Sequence, residues 1–157
     1  MAYRGKVTGG QHLRRFLKQA KAVKHRMIEK VETGFFTTSR YPDGTPVTNV
    51  AAWNEFGTQD SDGNVMVPSR PFFRQANEEV KKDLRDVLRR EVDPKEMIVD
   101  RRIGNMLGSV HQRAVQTSIR DIKKPPLAES TKAAKGSDNP LVDTGVLRTS
   151  VTHKVHE

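Results

Sequence analysis

The side chains best suited to catalysis or to metal binding in this sequence are five histidines, and their spacing predicts no site. They are His12, His25, His111, His153 and His156. None follows another at the four-residue step with which two helical histidines hold zinc, and the last two would point to opposite faces of a strand. A nucleophile elbow, a phosphate-binding glycine loop and a dinucleotide fingerprint are also missing from the sequence. The segment Asp60–Asn64 superficially resembles a calcium loop but lacks the later bidentate glutamate, so a plain turn is favoured. The sequence therefore predicts a protein that is not an enzyme and holds neither a cofactor nor a metal ion.

Positive charge near the N-terminus is the second feature with chemical potential. Residues 1–32 carry nine basic and two acidic residues, and the whole chain has a formal net charge of +9. Apolar residues recur there at three- and four-residue steps, which predicts a long, basic, amphipathic helix over 1–32. The cations considered for contact with DNA or a partner are Arg14, Arg15, Lys18, Lys21 and Lys24. Their face is either solvated or a contact surface, and contact with DNA would be non-specific, through phosphates.

The size and composition of the chain indicate the kind of domain that positions these residues. With 157 residues, 34% of them hydrophobic, the chain is long enough for one cored domain spanning 1–157. It has no cysteine, which fits a protein made in a reducing cytoplasm. No stretch approaches the length of about 20 apolar residues that crosses a bilayer, so we expect no membrane partner.

The strands are predicted from alternating and β-branched residues. Residues 35–41 are rich in aromatic and β-branched types and predict a strand, followed by a turn at Pro42–Gly44. Val151, His153 and Val155 alternate as a final strand, which we expect to close a small antiparallel sheet by pairing with 35–41.

Short helical patterns occupy the middle of the chain. Residues 47–56 are compatible with a strand or a short helix, and a helix capped by Asn49 is favoured. Ser69 is expected to cap a second helix that has Phe73 in its core stripe, and Asp93 is expected to cap a third. The fold class is therefore α+β: a long N-terminal amphipathic helix, two further helices and a small sheet.

Two polar segments are predicted to be exposed. Residues 58–67 suit an exposed loop or hairpin tip, and residues 123–140 form a polar connector rich in proline and glycine.

Three short motifs are more specific than the composition. They are Asn-Glu-Phe-Gly-Thr at Asn54–Thr58, a Ser-Arg-Pro-Phe-Phe-Arg element within Val67–Arg74, and Leu-Val-Asp-Thr-Gly-Val-Leu-Arg-Thr-Ser within Pro140–Ser150. Their order and spacing resemble the neck and tail-completion proteins of tailed bacteriophages, the group named for the tail-component protein of phage HK97 and related virion morphogenesis proteins. The resemblance spans residues 35–155, and the basic first helix is not part of it.

The resemblance implies a structural virion protein without catalysis. Copies of the chain would form a ring where head meets tail, around the DNA channel, and contact adjoining neck, connector and tail-tube proteins. The protein would assemble in the host cytoplasm and be located in the virion at the head–tail interface. Two alternatives stay open: a tail terminator ring, and a non-specific nucleic-acid-binding module that uses the basic helix. We expect the first helix, residues 58–67 and 123–140 and the last strand to supply most subunit contacts.

Within the motifs, some residues are expected to hold the fold and others to contact neighbours. Structural roles are assigned to Asn54, Phe56, Gly57, Pro71, Phe73, Asp143, Thr144, Gly145 and Leu147. Phe56, Phe73 and Leu147 are expected in the core, and Asp143 or Thr144 is expected to cap the turn that follows. Gly57 and Gly145 suit backbone conformations that a Cβ disfavours. Glu55 is a candidate ion-pair partner of Arg70 or Arg148. The candidates for subunit contact are Glu55, Arg70, Arg74 and Arg148.

Overall fold

The structure, a computed structural model, describes residues 14–15, 17–19, 21–22, 27–36, 38–135, 139–142 and 144–157. In this part of the chain the fold is α+β, with helices and two small antiparallel sheets. The elements are β1 (Lys30–Gly34), α1 (Val47–Phe56), β2 (Thr58–Gln59), β3 (Val65–Val67), α2 (Phe72–Glu91), α3 (Arg101–Asp121), α4 (Glu129–Lys135), α5 (Val146–Thr149) and β4 (Thr152–His156).

The first sheet pairs the strand Lys30–Gly34 with the last strand of the described chain. β1 pairs with β4 in antiparallel register, from Lys30 opposite His156 to Gly34 opposite Thr152. The helix predicted over 1–32 is therefore wrong at its end, because residues 30–32 already belong to a strand. The three- and four-residue spacing of apolar residues continues up to Val31, but pairing with a strand more than 100 residues away prevails over that local pattern.

The strand predicted over 35–41 is also wrong. The chain leaves the sheet after Gly34, and the ring of Phe35 packs edge-on against the ring of Phe72, with centroids 6.3 Å apart. A bulky aromatic residue is suited to a core as well as to a strand, and here Phe35 packs against the core. The turn that follows is confirmed, since the N–H of Gly44 donates to the carbonyl of Tyr41 at 2.9 Å.

Two predicted helix caps are not formed. α1 begins at Val47 after Pro46, so Asn49 lies inside the helix and does not cap it. Ser69 does not cap α2, because its hydroxyl donates to the carbonyl of Glu55 at 2.8 Å. In α2, Phe72 is fully buried, whereas Phe73 is half-buried.

The third helix starts seven residues later than predicted. Residues 94–96 form only a turn, and α3 is capped by Asp100, whose carboxylate accepts from the N–H of Ile103 at 2.9 Å. Gly104 and Gly108 on this helix face the first sheet. An added Cβ at Gly104 would lie 2.7 Å from the Ile28 side chain, and one at Gly108 would overlap the ring of His153. The two glycines thus allow the sheet to pack closely on α3.

The core lies where α1, α2, α3 and α5 meet. Its buried members are Val47, Ala51, Phe72, Ala76, Val115, Ile119, Ile122, Leu141, Leu147 and Val151. The connector predicted over 123–140 is not wholly a loop, since it contains α4.

Candidate assembly surface

Two of the three motifs meet at one corner of the molecule. This motif corner comprises Asn54–Thr58, at the end of α1, and Ser69–Arg74, at the start of α2. The N–H of Arg70 donates to the carbonyl of Asn54 at 2.6 Å, and the Ser69 hydroxyl donates to the carbonyl of Glu55. Backbone and hydroxyl hydrogen bonds therefore hold together two segments that are separated by a hairpin.

Glu55 caps α2 from outside that helix. Its side chain is buried, and its carboxylate oxygens accept from the N–H of Phe73 at 2.8 Å and from the N–H of Arg74 at 3.2 Å. The first N–H groups of a helix lack partners within the helix, and its N-terminus favours negative charge. The carboxylate meets both needs.

The ion pair predicted for Glu55 is not formed. Among the residues that the structure describes, no ion pair joins Glu55 to Arg70 or to Arg148. The reason is geometric, because the end of α1 directs the carboxylate at the α2 N-terminus while the guanidinium of Arg70 points elsewhere.

The guanidinium of Arg70 is bound by backbone carbonyls. Only 4% of the residue is exposed. Its Nε donates to the carbonyl of Pro125 at 2.8 Å and its Nη2 to that of Pro126 at 3.2 Å, while Nη1 lies 3.5 Å from the carbonyl of Pro68. Burial lowers the pKa of the Arg70 guanidinium, yet arginine stays cationic in proteins. Arg70 thus fastens the motif corner to the segment after α3 instead of offering a surface to a neighbour.

The glycine of the first motif is required by its surroundings. Gly57 has φ +78°, and a Cβ there would lie 2.9 Å from the carbonyl oxygen of Val67 and 3.0 Å from the nitrogen of Ser69. The predicted preference for a conformation that a Cβ disfavours is confirmed, and the close approach of β3 and the α2 entry adds to it.

The third motif surrounds α5. Gly145, with φ +79°, is the residue that precedes the helix, so the predicted preference for a conformation that a Cβ disfavours is confirmed here too. Thr144 is not an effective cap, because its hydroxyl oxygen lies 3.5 Å from the N–H of Val146. Asp143 lies outside the described residues. Leu147 is 2% exposed and is buried as predicted.

Beside the motif corner, apolar side chains are turned outward. Phe56 is 71% exposed, Val65 62% and Met66 67%, and we call these three residues the hairpin patch. The prediction that Phe56 lies in the core is therefore wrong, because the last turn of α1 presents it to solvent beside β2 and β3. Phe56 and Val65 line one shallow pocket together with Val67, whereas Met66 is not part of its lining. Exposed apolar residues that lie together mark interaction sites, whereas single ones are ordinary.

The β2–β3 hairpin stands away from the body of the domain. Val65 and Met66 are neighbours in one strand, so their side chains point to opposite faces, and both are more than half exposed. A two-stranded hairpin this short is marginally stable alone. Its exposed faces therefore suit contact with another surface.

The tip of the hairpin is ordered by Asp60. One carboxylate oxygen of Asp60 accepts from the N–H of Asp62 at 2.9 Å and of Asn64 at 2.8 Å, and the other accepts from the Asn64 amide at 3.0 Å. These hydrogen bonds, that from the Asn64 side chain first, lower the pKa of Asp60. These oxygens are directed at their own turn and hold it in place. Because the turn contains both Asp60 and Asp62, it forms an acidic tip.

A groove runs between α2 and α3, and its two ends differ in charge. The acidic end, about 560 Å³, carries the carboxylates of Glu79, Asp83 and Asp86, together with Arg90 and Arg113 on its rim. The arginine end, about 720 Å³, is lined by the residues Val87, Arg90, Arg101, Arg102, Met106 and Val110. The two ends share Val87, Arg90 and Val110, so they form one continuous groove, which we call the helical groove.

Other candidate contact residues lie on the surface. Arg74 and Arg148 are exposed. Arg14, Arg15, Lys18 and Lys21 are helical and exposed, whereas Lys24 lies outside the described residues.

Each of the three histidines that the structure describes has a separate partner, while His12 and His25 lie outside the described residues. His111 Nε2 lies 2.6 Å from the Asn77 amide oxygen, His153 Nδ1 lies 2.7 Å from that of Gln112, and His156 Nε2 lies 2.7 Å from a Glu32 carboxylate oxygen. Burial lowers the pKa of His111. Within the described ranges, no group of three or more histidines and acidic residues is placed to hold a metal ion. No helix in that part of the chain is long and apolar enough to cross a bilayer.

Sequence reasoning missed the apolar residues of the hairpin and the arginines of the groove. For the apolar residues of the hairpin, a signal was present in the sequence: the run Val65-Met66-Val67 in an otherwise polar segment. The arginines of the groove had no signal, because α2 and α3 bring Arg90 and Arg102 together only in three dimensions.

Comparison of the chain with protein families, curated proteins and solved structures found no match in any of the three.

Proposed function

We propose that this chain is a structural protein of the neck of a tailed bacteriophage, where copies of it join head to tail as a ring around the DNA channel. The observation that carries the proposal is the hairpin patch: three large apolar side chains exposed beside the most characteristic motif of the sequence. Buried apolar surface is the main favourable contribution to subunit association. A protein whose work is to bind copies of itself and adjoining virion proteins needs such a surface, whereas a catalyst needs convergent polar groups.

The motif corner supports the same proposal. The hairpin projects from a base that is held together by the hydrogen bonds of Glu55 and Arg70 and by the close backbone approach at Gly57. A rigid base limits the entropy that a projecting contact loses on binding. The proposal includes the basic helix predicted near the N-terminus as well: we infer that its cations face DNA in the channel or a neighbouring virion protein.

The experiment uses particles of a phage that carries this reading frame. Purified particles are analysed by mass spectrometry, and a tagged copy is located by immunogold electron microscopy. We expect the chain in mature particles and the label at the junction of head and tail. A chain that is expressed during infection but absent from purified particles contradicts the proposal.

Deletion of the hairpin tests the surface itself. Removing residues 58–67 is expected to yield heads and tails that do not join, seen by electron microscopy. Normal tailed, infectious particles would exclude the hairpin from the function. A tail terminator ring, the alternative within the same class, is favoured if the chain is present on tails assembled in a mutant that makes no heads.

A free nucleic-acid-binding module is the other candidate, favoured by the exposed, helical cations Arg14, Arg15, Lys18 and Lys21. It predicts that the purified chain binds random duplex DNA with an affinity that falls steeply with salt. Charge reversal of Lys18, Lys21 and Lys24 would abolish the binding. The matched control reverses Lys82, Lys95 and Lys124, which are exposed elsewhere, and should retain it.

A further inference from the structure

Two surfaces of this chain complement each other: one projects and the other is concave, and they carry opposite charges. The β2–β3 hairpin is a projection with apolar flanks and an acidic tip that holds Asp60 and Asp62. The arginine end of the helical groove is a concavity with the apolar residues Val87, Met106 and Val110 and a cationic rim. Both lie on the same polypeptide, so every copy offers one projection and one concavity.

Three guanidiniums line the rim of the arginine end, and no carboxylate is among the described residues that line it. Arg90 and Arg102 both pair with Glu91, at 2.9 and 2.7 Å, and Arg101 pairs with Glu157 at 2.7 Å. The carboxylates that hold the three arginines thus lie outside the lining. Such a surface attracts an acidic group, and complementary charge of this kind fixes the register of an interface.

The remainder of the groove determines which end receives the hairpin. Glu79, Asp83 and Asp86 line the acidic end and would repel Asp60 and Asp62. The basic N-terminal segment, with Arg14, Arg15, Lys18 and Lys21, would in turn be repelled from the arginine end. The charges therefore favour the hairpin as the occupant of the arginine end.

We infer that the β2–β3 hairpin of one copy docks in the arginine end of the helical groove of the next copy. Met66 then lies against the apolar floor of the groove, and Asp62 lies beside Arg102. The contact is heterologous, since it joins different surfaces of the two copies, and a repeated heterologous contact closes into a ring when its rotation permits. The inference rests on the proposed function in one respect, namely that the assembly is built from copies of this chain.

Because the chain has no cysteine, introduced cysteines report the contact without background. Met66→Cys and Met106→Cys are made as separate chains, mixed and treated with a short bis-maleimide. We expect a cross-link between the two chains in the mixture and little in either chain alone. The matched control replaces Met66→Cys by Met97→Cys, because Met97 is 66% exposed, as Met66 is, but lies in neither surface.

A charge exchange provides the second readout. Asp62→Arg and Arg102→Asp should each weaken association about tenfold in sedimentation velocity, and the two together should return it to within about threefold of the wild type. Both positions are exposed, so circular dichroism should show the wild-type fold for all three variants.

The inference is overturned if Met66→Cys links mainly to itself, if the Met97→Cys mixture links equally well, if the double charge variant shows no recovery, or if the wild type stays monomeric up to its solubility limit. The proposed function is tested separately by the presence of the chain in particles. Particles that contain the chain without this cross-link leave the function standing and remove the inference. If the cross-link forms but the chain is absent from particles, the inference stands and the proposed function is removed.

Discussion

The motif corner and the hairpin patch meet at Phe56, which belongs to both, yet they distribute most of their side chains in opposite ways. In the corner, two charged groups point inward: Glu55 and Arg70 are buried and bind backbone N–H and carbonyl groups, while Arg74 is exposed. In the patch, apolar groups point outward, with Phe56, Val65 and Met66 mostly exposed. Burying charge and exposing apolar surface both cost free energy in an isolated chain. The corner recovers this cost through hydrogen bonds within the subunit, whereas the patch can recover it only by binding another surface.

Gly57, which links the two regions, should give the largest effect. Gly57→Ala forces a residue with a Cβ to φ +78° and places that atom against the Val67 carbonyl and the Ser69 nitrogen. We expect a loss of about 3 kcal/mol in the free energy of unfolding, from backbone strain and overlap together. The measurement is urea denaturation.

Gly63→Ala is the matched control. Gly63 has φ +84°, but an added Cβ meets nothing within 4 Å, so only the strain of about 1 kcal/mol applies. Equal losses in the two variants would show that the close approach at Gly57 contributes nothing.

The capping carboxylate comes next. Glu55→Ala leaves the N–H groups of Phe73 and Arg74 without their acceptor, and we expect a loss of about 2 kcal/mol in the free energy of unfolding. Glu78→Ala, which removes an exposed carboxylate from the same helix, should change that free energy by less than about 0.5 kcal/mol. A comparable change in both variants would contradict the capping role of Glu55.

The hairpin patch should respond in the opposite sense. Phe56→Ser with Met66→Ser should change the free energy of unfolding by less than about 0.5 kcal/mol, because both side chains are exposed in the subunit. Association measured by sedimentation velocity should nevertheless be lost. Met97→Ser, at an equally exposed methionine, should alter neither quantity. A large loss of stability in the double variant would assign the patch to the fold instead of to assembly.

The smallest effect concerns pH and the hairpin tip. Hydrogen bonds hold the pKa of Asp60 below its usual range in the folded chain, so the stability they contribute is present above the unfolded pKa of about 4 and is lost as pH falls through the folded value. Thermal unfolding should show a smaller loss of stability in this acidic range for Asp60→Asn than for the wild type. Asp62→Asn should behave as the wild type, since its side chain accepts none of these hydrogen bonds.

Predictions from the sequence succeeded where a local property sufficed. The turn at Pro42–Gly44 and the positive φ angles of Gly57 and Gly145 follow from the conformations that proline and glycine allow. The apolar stripe of α2 was placed correctly at Ala76, Val80 and Val87, because a 3.6-residue period specifies one face of a helix. Its aromatic member was predicted as Phe73, which packs half-buried against the core, whereas Phe72 beside it is the fully buried ring.

Predictions failed where a distant partner decided the outcome. Residues 30–32 suit a helix by pattern but pair with β4, and Glu55 suits an ion pair but meets the N-terminus of α2. Asp93 suits a helix cap, yet α3 begins only after Asp100. In each case two local options differ by less free energy than the tertiary contact supplies.

By itself, the sequence determined the fold class, the conformations of its glycines and turns, and the helical periodicity of its longest elements, because these depend on neighbours within a few residues. Only the tertiary structure decided which charged residues are buried, which apolar residues stay outside and which strand pairs with the last one. Those outcomes depend on which surfaces the packed helices cover, and the spacing of residues along the chain carries no record of that.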